Sequence, residues 1–279
     1  FIYNSVFFVI KTIEPTSPIL RKYVECFYFY EGKSNSSFSY LAFPHFNTGL
    51  SFMKGASVQR QNWTLQVSEN RTDSVHIEIL GKYTTPVFLE YKGQLREISV
   101  IFKPLGINRF FKDNYLSLAP HFSQELVNDV WRKLGETLFS GDDDISKIES
   151  FLLSQFGDHP EFSAVETALK WLENSDEKMA ISTIASEVGL SAKTFQRYFQ
   201  KHMGCSPIEY RRIFRFRSSL TNKLNSAEWK NLTDITYEGG YYDQSYFIKE
   251  FRKITNHNPK DFFKSTSKVD GDKIIWEIK

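Results

Sequence analysis

The chain of 279 residues has little of what a disulfide scaffold or a membrane anchor requires. Its two cysteines, Cys26 and Cys205, lie far apart in the sequence, which argues against a disulfide framework and favours a reducing, cytoplasmic setting. The apolar stretch at residues 1–11 is shorter than the roughly 20 residues that a bilayer span needs. It also has no basic flank and no small-residue cleavage site of a signal peptide. We therefore expect no membrane association and a half-buried first strand.

Motifs that carry catalysis are also missing. The six histidines are dispersed without HExxH or HxH spacing, and no Walker loop, GxGxxG or GxSxG occurs. The adjacent acids Asp142, Asp143 and Asp144 precede a helical pattern, where a loop and an N-cap explain them better than a metal site. Cys26 lies in an aromatic strand and is expected to be buried. We assign no catalytic residue, metal or cofactor, and we predict that the protein is not an enzyme.

Aromatic residues are abundant, with 26 Phe and 14 Tyr, and charge is unevenly distributed. Residues 191–266 carry 14 Lys and Arg against 7 Asp and Glu, whereas residues 1–190 carry 18 against 23. A basic C-terminal block behind a mildly acidic front is typical of a nucleic-acid-binding module joined to a different domain. The simpler alternative is a solvated charged face, and charge alone does not exclude it.

The first 120 residues or so are predicted to be strands, which implies a small barrel or sandwich. Turn-forming residues separate most of seven apolar or aromatic segments, at 23–30, 38–44, 50–53, 62–67, 75–80, 86–91 and 95–102. Helical spacing follows at 122–139, with Ser123 as a plausible N-cap, and again at 145–156. Everything from residue 161 onward is predicted to be helical. The predicted fold class is α+β, with a β-rich domain at 1–157 that includes helices at 122–156, a helical domain at 161–266 and a tail at 267–279.

The helical domain contains an internal repeat. Phe195, Phe199 and Pro207 recur 52 positions later as Phe247, Phe251 and Pro259. By the same offset Gly204 corresponds to Asn256, two residue types that favour the left-handed end of a helix, and Tyr210 corresponds to Phe262. Each copy consists of a helix, a glycine turn and a capped helix, which is the helix-turn-helix pattern. One long helix, from Pro207 to about residue 224, joins the two copies.

Residues from about 165 to 264 resemble the DNA-binding domain of the AraC/XylS family of transcription regulators. The second copy carries the family signature in these residues: Ile235, Tyr237, Gly240, Tyr241, Gln244, Ser245, Tyr246, Phe247, Phe251, Arg252, Lys253 and Pro259. Tyr241, Thr236 and Asn256 replace the Phe, Ala and Gly that are common at those positions. Two recognition helices, at 191–203 and 243–255, would then enter successive major grooves of double-stranded DNA, about 34 Å apart.

Roles for individual side chains follow from the helical wheel and from the family's contact positions. The residues predicted to contact bases are Lys193, Gln196, Arg197, Gln244, Ser245, Ile248 and Lys249. Those predicted to contact phosphates are Thr194, Lys201, Arg252 and Lys253. The alternative for these side chains is an ordinary solvated face. Arg211, Arg212, Arg215 and Arg217 are expected to be structural instead, some of them paired with acids such as Glu209 or Glu238.

The front domain resembles the N-terminal domain of one AraC-type subgroup, in the segments at 43–55 and 96–111 with their Phe102-Lys103-Pro104-Leu105-Gly106 sequence. The resemblance implies control by a small-molecule effector, by homodimerisation through the helices at 122–156, or by both. A fully packed interior without a ligand site is the alternative. The predicted function is a sequence-specific transcription regulator that acts as an activator, with RNA polymerase as a partner implied by the family. The competing hypothesis is a DNA-tethered enzyme or repair protein, and its repair version would need an exposed, reactive cysteine.

Overall fold

The computed structural model contains a β-rich front half, residues 2–157, and a helical half, residues 162–265. It describes residues 2–4, 8–141, 143–157, 159, 162–174, 179–225, 232–265, 267–269 and 274–278. Among these residues, no helix combines the length and the apolar composition that crossing a membrane requires.

The described strands form two sheets, and the tail after the helical half contributes two strands to the second sheet. The first consists, in spatial order, of β1 (Ile2–Asn4), β2 (Phe8–Ile13), β3 (Val24–Gly32), β10 (Arg96–Phe102), β5 (Thr48–Lys54), β8 (Val75–Leu80) and β11 (Ser123–Glu125). The second consists of β12 (Ser267–Val269), β13 (Ile274–Ile278), β4 (Ser37–Ala42), β9 (Val87–Lys92), β7 (Thr64–Glu69) and β6 (Ala56–Gln61). All pairings are antiparallel except that of β7 with β9. The fold is therefore α+β, as predicted, and its β part is a pair of sheets rather than a closed barrel.

Short helices surround the front half and longer ones form the helical half. The front half contains α1 (Leu20–Tyr23), a 3-10 helix (Gly106–Arg109), α2 (Tyr115–Leu118), α3 (Asp129–Thr137) and α4 (Asp144–Gln155). The helical half contains α5 (Ser163–Asn174), α6 (Ile181–Glu187), α7 (Ala192–Met203), α8 (Pro207–Asn225), α9 (Leu232–Glu238), α10 (Gln244–Thr255) and α11 (Pro259–Ser265).

Strand β10 shows how sequence alternation builds the layers. Ile98, Val100 and Phe102 belong to the core between the first sheet and helices α1 to α4. Glu97 and Ser99 alternate with them and so point to the other face, toward the second sheet. The first sheet is thus covered on both sides, which explains why every residue of β5 except its last is buried.

The prediction that a helix begins near Ser123 is wrong. Ser123 lies in β11, where it pairs with Leu80, and its hydroxyl donates to the buried carboxylate of Glu78. The helix begins only at Asp129, after Asn128, whose side chain accepts from the backbone N–H of Val130 at 3.0 Å. Pairing with the open edge of β8 and the hydrogen bond to a buried carboxylate outweigh the helical spacing.

The prediction that everything after residue 161 is helical is wrong for the tail. Strands β12 and β13 form a hairpin, and β13 pairs with β4 in the register Trp276 to Ala42 and Ile278 to Tyr40. The tail that follows the helical half therefore extends the second sheet of the front half. Because strand formation depends on an edge that lies more than 200 positions earlier in the chain, local sequence patterns carry little information about it.

Candidate DNA-binding interface

The first helix-turn-helix unit consists of α6 and α7. Gly189 closes the turn in the left-handed conformation with φ of 72°, which strains any residue with a Cβ. The N–H of Leu190 donates to the carbonyl of Ala185 at 2.9 Å. Ser191 caps α7 by accepting from the N–H of Thr194 at 3.2 Å, as the sequence predicts. The helix ends at Gly204, again left-handed, with φ of 66°.

The second unit, α9 and α10, repeats this geometry. Gly240 has φ of 71°, and the N–H of Tyr241 donates to the carbonyl of Thr236 at 3.0 Å. Asp243 caps α10 by accepting from Tyr246 at 2.8 Å. Asn256 ends the helix with φ of 62°, so the Gly-to-Asn departure from the family pattern preserves the left-handed end. The predicted turns and caps of both units are present.

The recognition helices α7 and α10 are anchored by equivalent ring pairs. Phe195 and Phe199 are fully buried, with centroids 5.7 Å apart and planes at 64°. Phe247 and Phe251 are also fully buried, at 5.5 Å and 63°. The duplicated sequence therefore produces duplicated packing, and both helices point the opposite side outward.

The repeat extends to the ring that closes each core. Tyr210 packs edge-on against Phe199 at 5.7 Å, and Phe262 packs edge-on against Phe251 at 5.1 Å. These two positions correspond in the 52-residue repeat. Each helix-turn-helix unit thus ends in an aromatic side chain at the same place.

The predicted base-contacting residues lie on the outward faces. All but one of the seven are exposed, namely Lys193, Gln196, Arg197, Gln244, Ser245 and Lys249. The seventh, Ile248, is partly buried and packs against the core of the second unit, so a smaller part of its side chain faces outward. The structure thus brings these side chains together in two groups, one on each recognition helix.

The predicted phosphate-contacting residues differ in how they are held. Lys201, Arg252 and Lys253 are exposed. Arg252 is oriented by a hydrogen bond from its Nε to Oδ1 of Asn258, 2.8 Å long. Thr194 is partly buried, and its hydroxyl accepts from that of Ser191 at 2.9 Å. Its hydroxyl hydrogen remains able to donate to a phosphate oxygen.

Of the four arginines of α8 that were expected to be structural, three make internal contacts as follows, and Arg215 is buried. Arg211 donates to the carbonyl of Met179 at 2.6 Å. Arg212 lies 3.8 Å from the carboxylate of Glu250, a partner that the sequence did not indicate. Arg217 reaches into the front half, where Nε and Nη2 donate to the carbonyls of Pro44 and Phe43 at 2.8 and 2.7 Å.

A cavity of about 120 Å³ lies between the two sheets near this contact. Apolar side chains such as Leu80, Val87 and Ile101 form much of its wall, and Arg217 lies at the end that faces the helical half. An engineered cavity of about 150 Å³ in another protein binds benzene. The available space therefore corresponds to one small ring.

Polar groups meet in the wall of this cavity at Glu97. Its carboxyl group accepts hydrogen bonds from the hydroxyls of Ser99 at 2.6 Å and Tyr91 at 2.8 Å. The hydroxyl of Ser51 lies 2.7 Å from that of Ser99. Burial raises the pKa of Glu97 above its usual value despite these bonds. Burial disfavours the charged form of this carboxyl group, so a ligand that brings a second negative charge fits poorly beside it.

The opposite end carries basic groups. Burial lowers the pKa of Arg217 to about 10, so this side chain still keeps its charge at neutral pH. His45 also lines the cavity, and its Nδ1 accepts from the backbone N–H of Asn47 at 2.8 Å. Burial, with Arg217 and Lys82 nearby, lowers the pKa of His45 well below its usual value, which keeps the ring neutral.

Sequence reasoning missed the polar residues of the cavity. Glu97 and Ser99 alternate with Ile98, Val100 and Phe102 in strand β10, and an acid within such an apolar alternation is the signal in the sequence. No sequence pattern indicates that Arg217 lines the cavity, because the carbonyls that it binds belong to a loop more than 170 positions earlier in the chain.

The two cysteines lack the exposure that the repair-protein hypothesis requires. Cys26 and Cys205 are both buried free thiols. Burial raises the pKa of Cys205 to about 11, which disfavours the reactive thiolate. The competing hypothesis therefore has no support from either cysteine.

Comparison with known protein families gives two matches. A model described as a helix-turn-helix domain matches residues 184–265. A model described as a domain of unknown function (DUF6597) matches residues 11–122. One model thus matches part of the front half and the other matches part of the helical half, and neither covers residues 123–183.

Three curated relatives resemble the chain. The probable transcription factor PqrA of Proteus vulgaris is 34% identical over 106 residues, which are 36% of this chain and 83% of PqrA. The uncharacterized regulator YdeC of Bacillus subtilis is 30% identical over 100 residues, 36% of this chain and 34% of YdeC. The arabinose operon regulatory protein of Salmonella typhimurium is 26% identical over 151 residues, 51% of this chain and 53% of that protein. The chain thus spans about a third of YdeC and half of the arabinose regulator, but most of PqrA. With its duplicated helix-turn-helix unit and these relatives, the chain belongs to the AraC/XylS family of transcription regulators.

Proposed function

We propose that the protein is a sequence-specific DNA-binding regulator that reads two successive major grooves with α7 and α10. The observation that supports this most is the equivalence of the two units, in which a buried phenylalanine pair backs an exposed polar face. Both helices have capped N-termini and belong to the basic part of the chain. Side chains on the two faces include amides and cations, the groups that read base edges and hold phosphates.

Selection of bound DNA from a random pool tests this proposal. We expect one site with two conserved half-sites about one helical turn apart. Arg197→Ala should lose discrimination at a few base pairs of one half-site, by about 1–3 kcal/mol, and keep weak salt-sensitive binding. Arg71→Ala, at an exposed arginine of the front half outside residues 122–156, is the matched control. Equal weakening of all sequences by Arg197→Ala would show that this residue does not read bases.

The phosphate assignment has a separate test. Lys253→Ala should weaken binding to all sequences alike and reduce the slope of log K against log salt by about 1. Lys11→Ala, at an exposed position of β2 in the front half, is the lysine control. A change in sequence preference with an unchanged salt slope would instead place Lys253 at a base edge.

We also propose that the front half is controlled by a small, mostly apolar molecule of about one ring with a hydrogen-bonding group. This fits the cavity volume, its apolar wall and the carboxyl group of Glu97. A thermal-shift screen of one-ring compounds, with and without a polar substituent, tests it. Compounds with the substituent should stabilise the wild type and not Ile101→Phe, whose added bulk fills the cavity. Equal responses of both proteins would show that the ligands bind elsewhere.

Homodimerisation through residues 122–156 is a further part of the proposal. Val127 is 89% exposed and Val130 48% exposed, beside the edge strand β11. Exposed apolar side chains at a sheet edge favour association with a second copy. Sedimentation of the wild type against Val127→Glu tests this, and identical monomeric behaviour of both would contradict it.

Activation through RNA polymerase is proposed on family membership alone. A promoter carrying the selected site should drive more reporter expression with the protein than without it. Lower expression would show that the protein represses at that promoter.

A further inference from the structure

The segment that follows β4 inserts one aromatic side chain into each helix-turn-helix unit. We name residues 43–46, with sequence FPHF, the coupling segment. Phe46 belongs to the buried core of the first unit, and Phe43 belongs to that of the second. The two side chains are three positions apart in the front half, whereas the units they enter are 52 positions apart.

Both insertions meet the same position of the repeat. Phe46 stacks on Tyr210 with centroids 3.9 Å apart, and Phe43 packs edge-on against Phe262 at 4.8 Å. Tyr210 and Phe262 are the equivalent closing rings of the two units. The coupling segment therefore braces the two units against each other at matched points, in addition to the covalent connection through α8.

Arg217 fixes the middle of this brace. It projects from α8 and donates to the carbonyls of Phe43 and Pro44 at 2.7 and 2.8 Å. Strand β13 adds a contact just upstream by pairing with residues 40–42 of β4. The segment is thus attached to the helical half by two rings and two hydrogen bonds, and the preceding strand β4 pairs with the tail that follows that half.

The same segment closes the cavity of the front half. Phe43, His45 and Arg217 lie in its wall, and Glu97 lies in the strand layer of the first sheet. A molecule that enters the cavity therefore touches Phe43, which enters the second unit, and Arg217, which binds the segment to α8. Phe46 is not part of that wall and lies three positions after Phe43 in the same segment. No intermediate residues are needed to connect the cavity to the helical half, because the coupling segment contributes both to the cavity wall and to the contacts with the two units.

We propose that the coupling segment links occupancy of the front cavity to the relative placement of the two recognition helices. This inference rests on the DNA-binding function proposed above. A ligand that shifts the segment moves Phe43 and Phe46 together and so changes how well α7 and α10 fit two grooves at once. By thermodynamic reciprocity, DNA that fixes the two helices must in turn restrict the segment and the strands beside it.

Reciprocity allows a test without a known ligand. Hydrogen exchange of the full chain is measured by mass spectrometry with and without the DNA site recovered from random-pool selection. We expect DNA to slow exchange in α7 and α10 and also in peptides that cover β4, the coupling segment and β5. In Phe46→Ala and in Arg217→Gln, we expect the slowing in the front half to be lost while that in α7 and α10 remains.

Two features keep the outcome decisive. Arg217→Gln removes no buried ring, so it carries the test if Phe46→Ala does not fold. Arg212→Gln, the same substitution on the same helix at a residue that contacts Glu250, is the control and should keep the front-half response. A wild type whose front half does not respond to DNA, or an Arg217→Gln variant that responds fully, would overturn the coupling. Failure to recover any DNA site would instead contradict the proposed function on which the inference rests.

Discussion

Removal of the Phe251 ring is the sharpest test of how the second helix-turn-helix unit is held together. The side chain is fully buried, and its centroid lies 5.4 Å from Phe216, 5.5 Å from Phe247, 5.1 Å from Phe262 and 5.6 Å from Phe263. Truncation of a buried Phe to Ala costs about 3–5 kcal/mol. Because four rings would line the void, we expect Phe251→Ala to lie at the upper end. That is a large fraction of the roughly 5–15 kcal/mol that stabilises a domain.

Urea unfolding followed by circular dichroism gives the loss in the free energy of unfolding, and DNA binding is measured in parallel. Phe263→Ala is the matched control, since that ring is only partly buried and lies at the edge of the same cluster. We expect the control to lose less than half as much stability. A loss for Phe251→Ala equal to that of the control would refute the enclosed packing. A full loss of stability without a loss of DNA binding would refute the dependence of α10 on this core.

Three further predictions concern the turns, the caps and the buried acid. Gly240→Ala should lower the free energy of unfolding by about 1–2 kcal/mol, because the backbone at Gly240 is left-handed. Gly141→Ala is the control, since Gly141 has open space around it and no positive φ, and urea midpoints compare the two variants. Ser191→Ala should cost about 0.5–2 kcal/mol and fray α7, measured by hydrogen exchange of its first turn. Glu97 has a raised pKa in the folded state, so its contribution to stability is complete below the unfolded pKa and is lost as pH rises through the folded pKa. Urea midpoints from about pH 4 to pH 8 should therefore fall more for the wild type than for Glu97→Gln, and parallel curves would contradict the raised pKa.

The helical half was largely predictable because its determinants are local. An N-cap such as Asp243, a left-handed end such as Asn256 and an apolar pair four residues apart each specify structure within one or two turns. The outward placement of Arg197 follows from the same helical period. Which bases these side chains contact stays a prediction.

The front half was predictable strand by strand but not in its connections. β6, at residues 56–61, was missed because its exposed polar residues resemble a loop. Ser123 was assigned to a helix because the edge that it pairs with lies more than 40 positions earlier. The coupling segment shows the same limit. Phe43 lies at the end of the predicted strand 38–44 and Phe46 lies just after it, and only the folded chain shows that they enter two different cores.

The pairing of β13 with β4 has a consequence for how the protein is made. The strand that covers the β4 edge follows the helical half in the chain, so synthesis of that half precedes completion of the second sheet. Until then, the nascent front half presents an uncovered strand edge, which is a template for pairing with other chains. A fragment that contains the front half but ends before residue 267 should therefore aggregate more readily than the full chain. In the chain, the helical half is thus inserted between the first four strands of the second sheet and its last two.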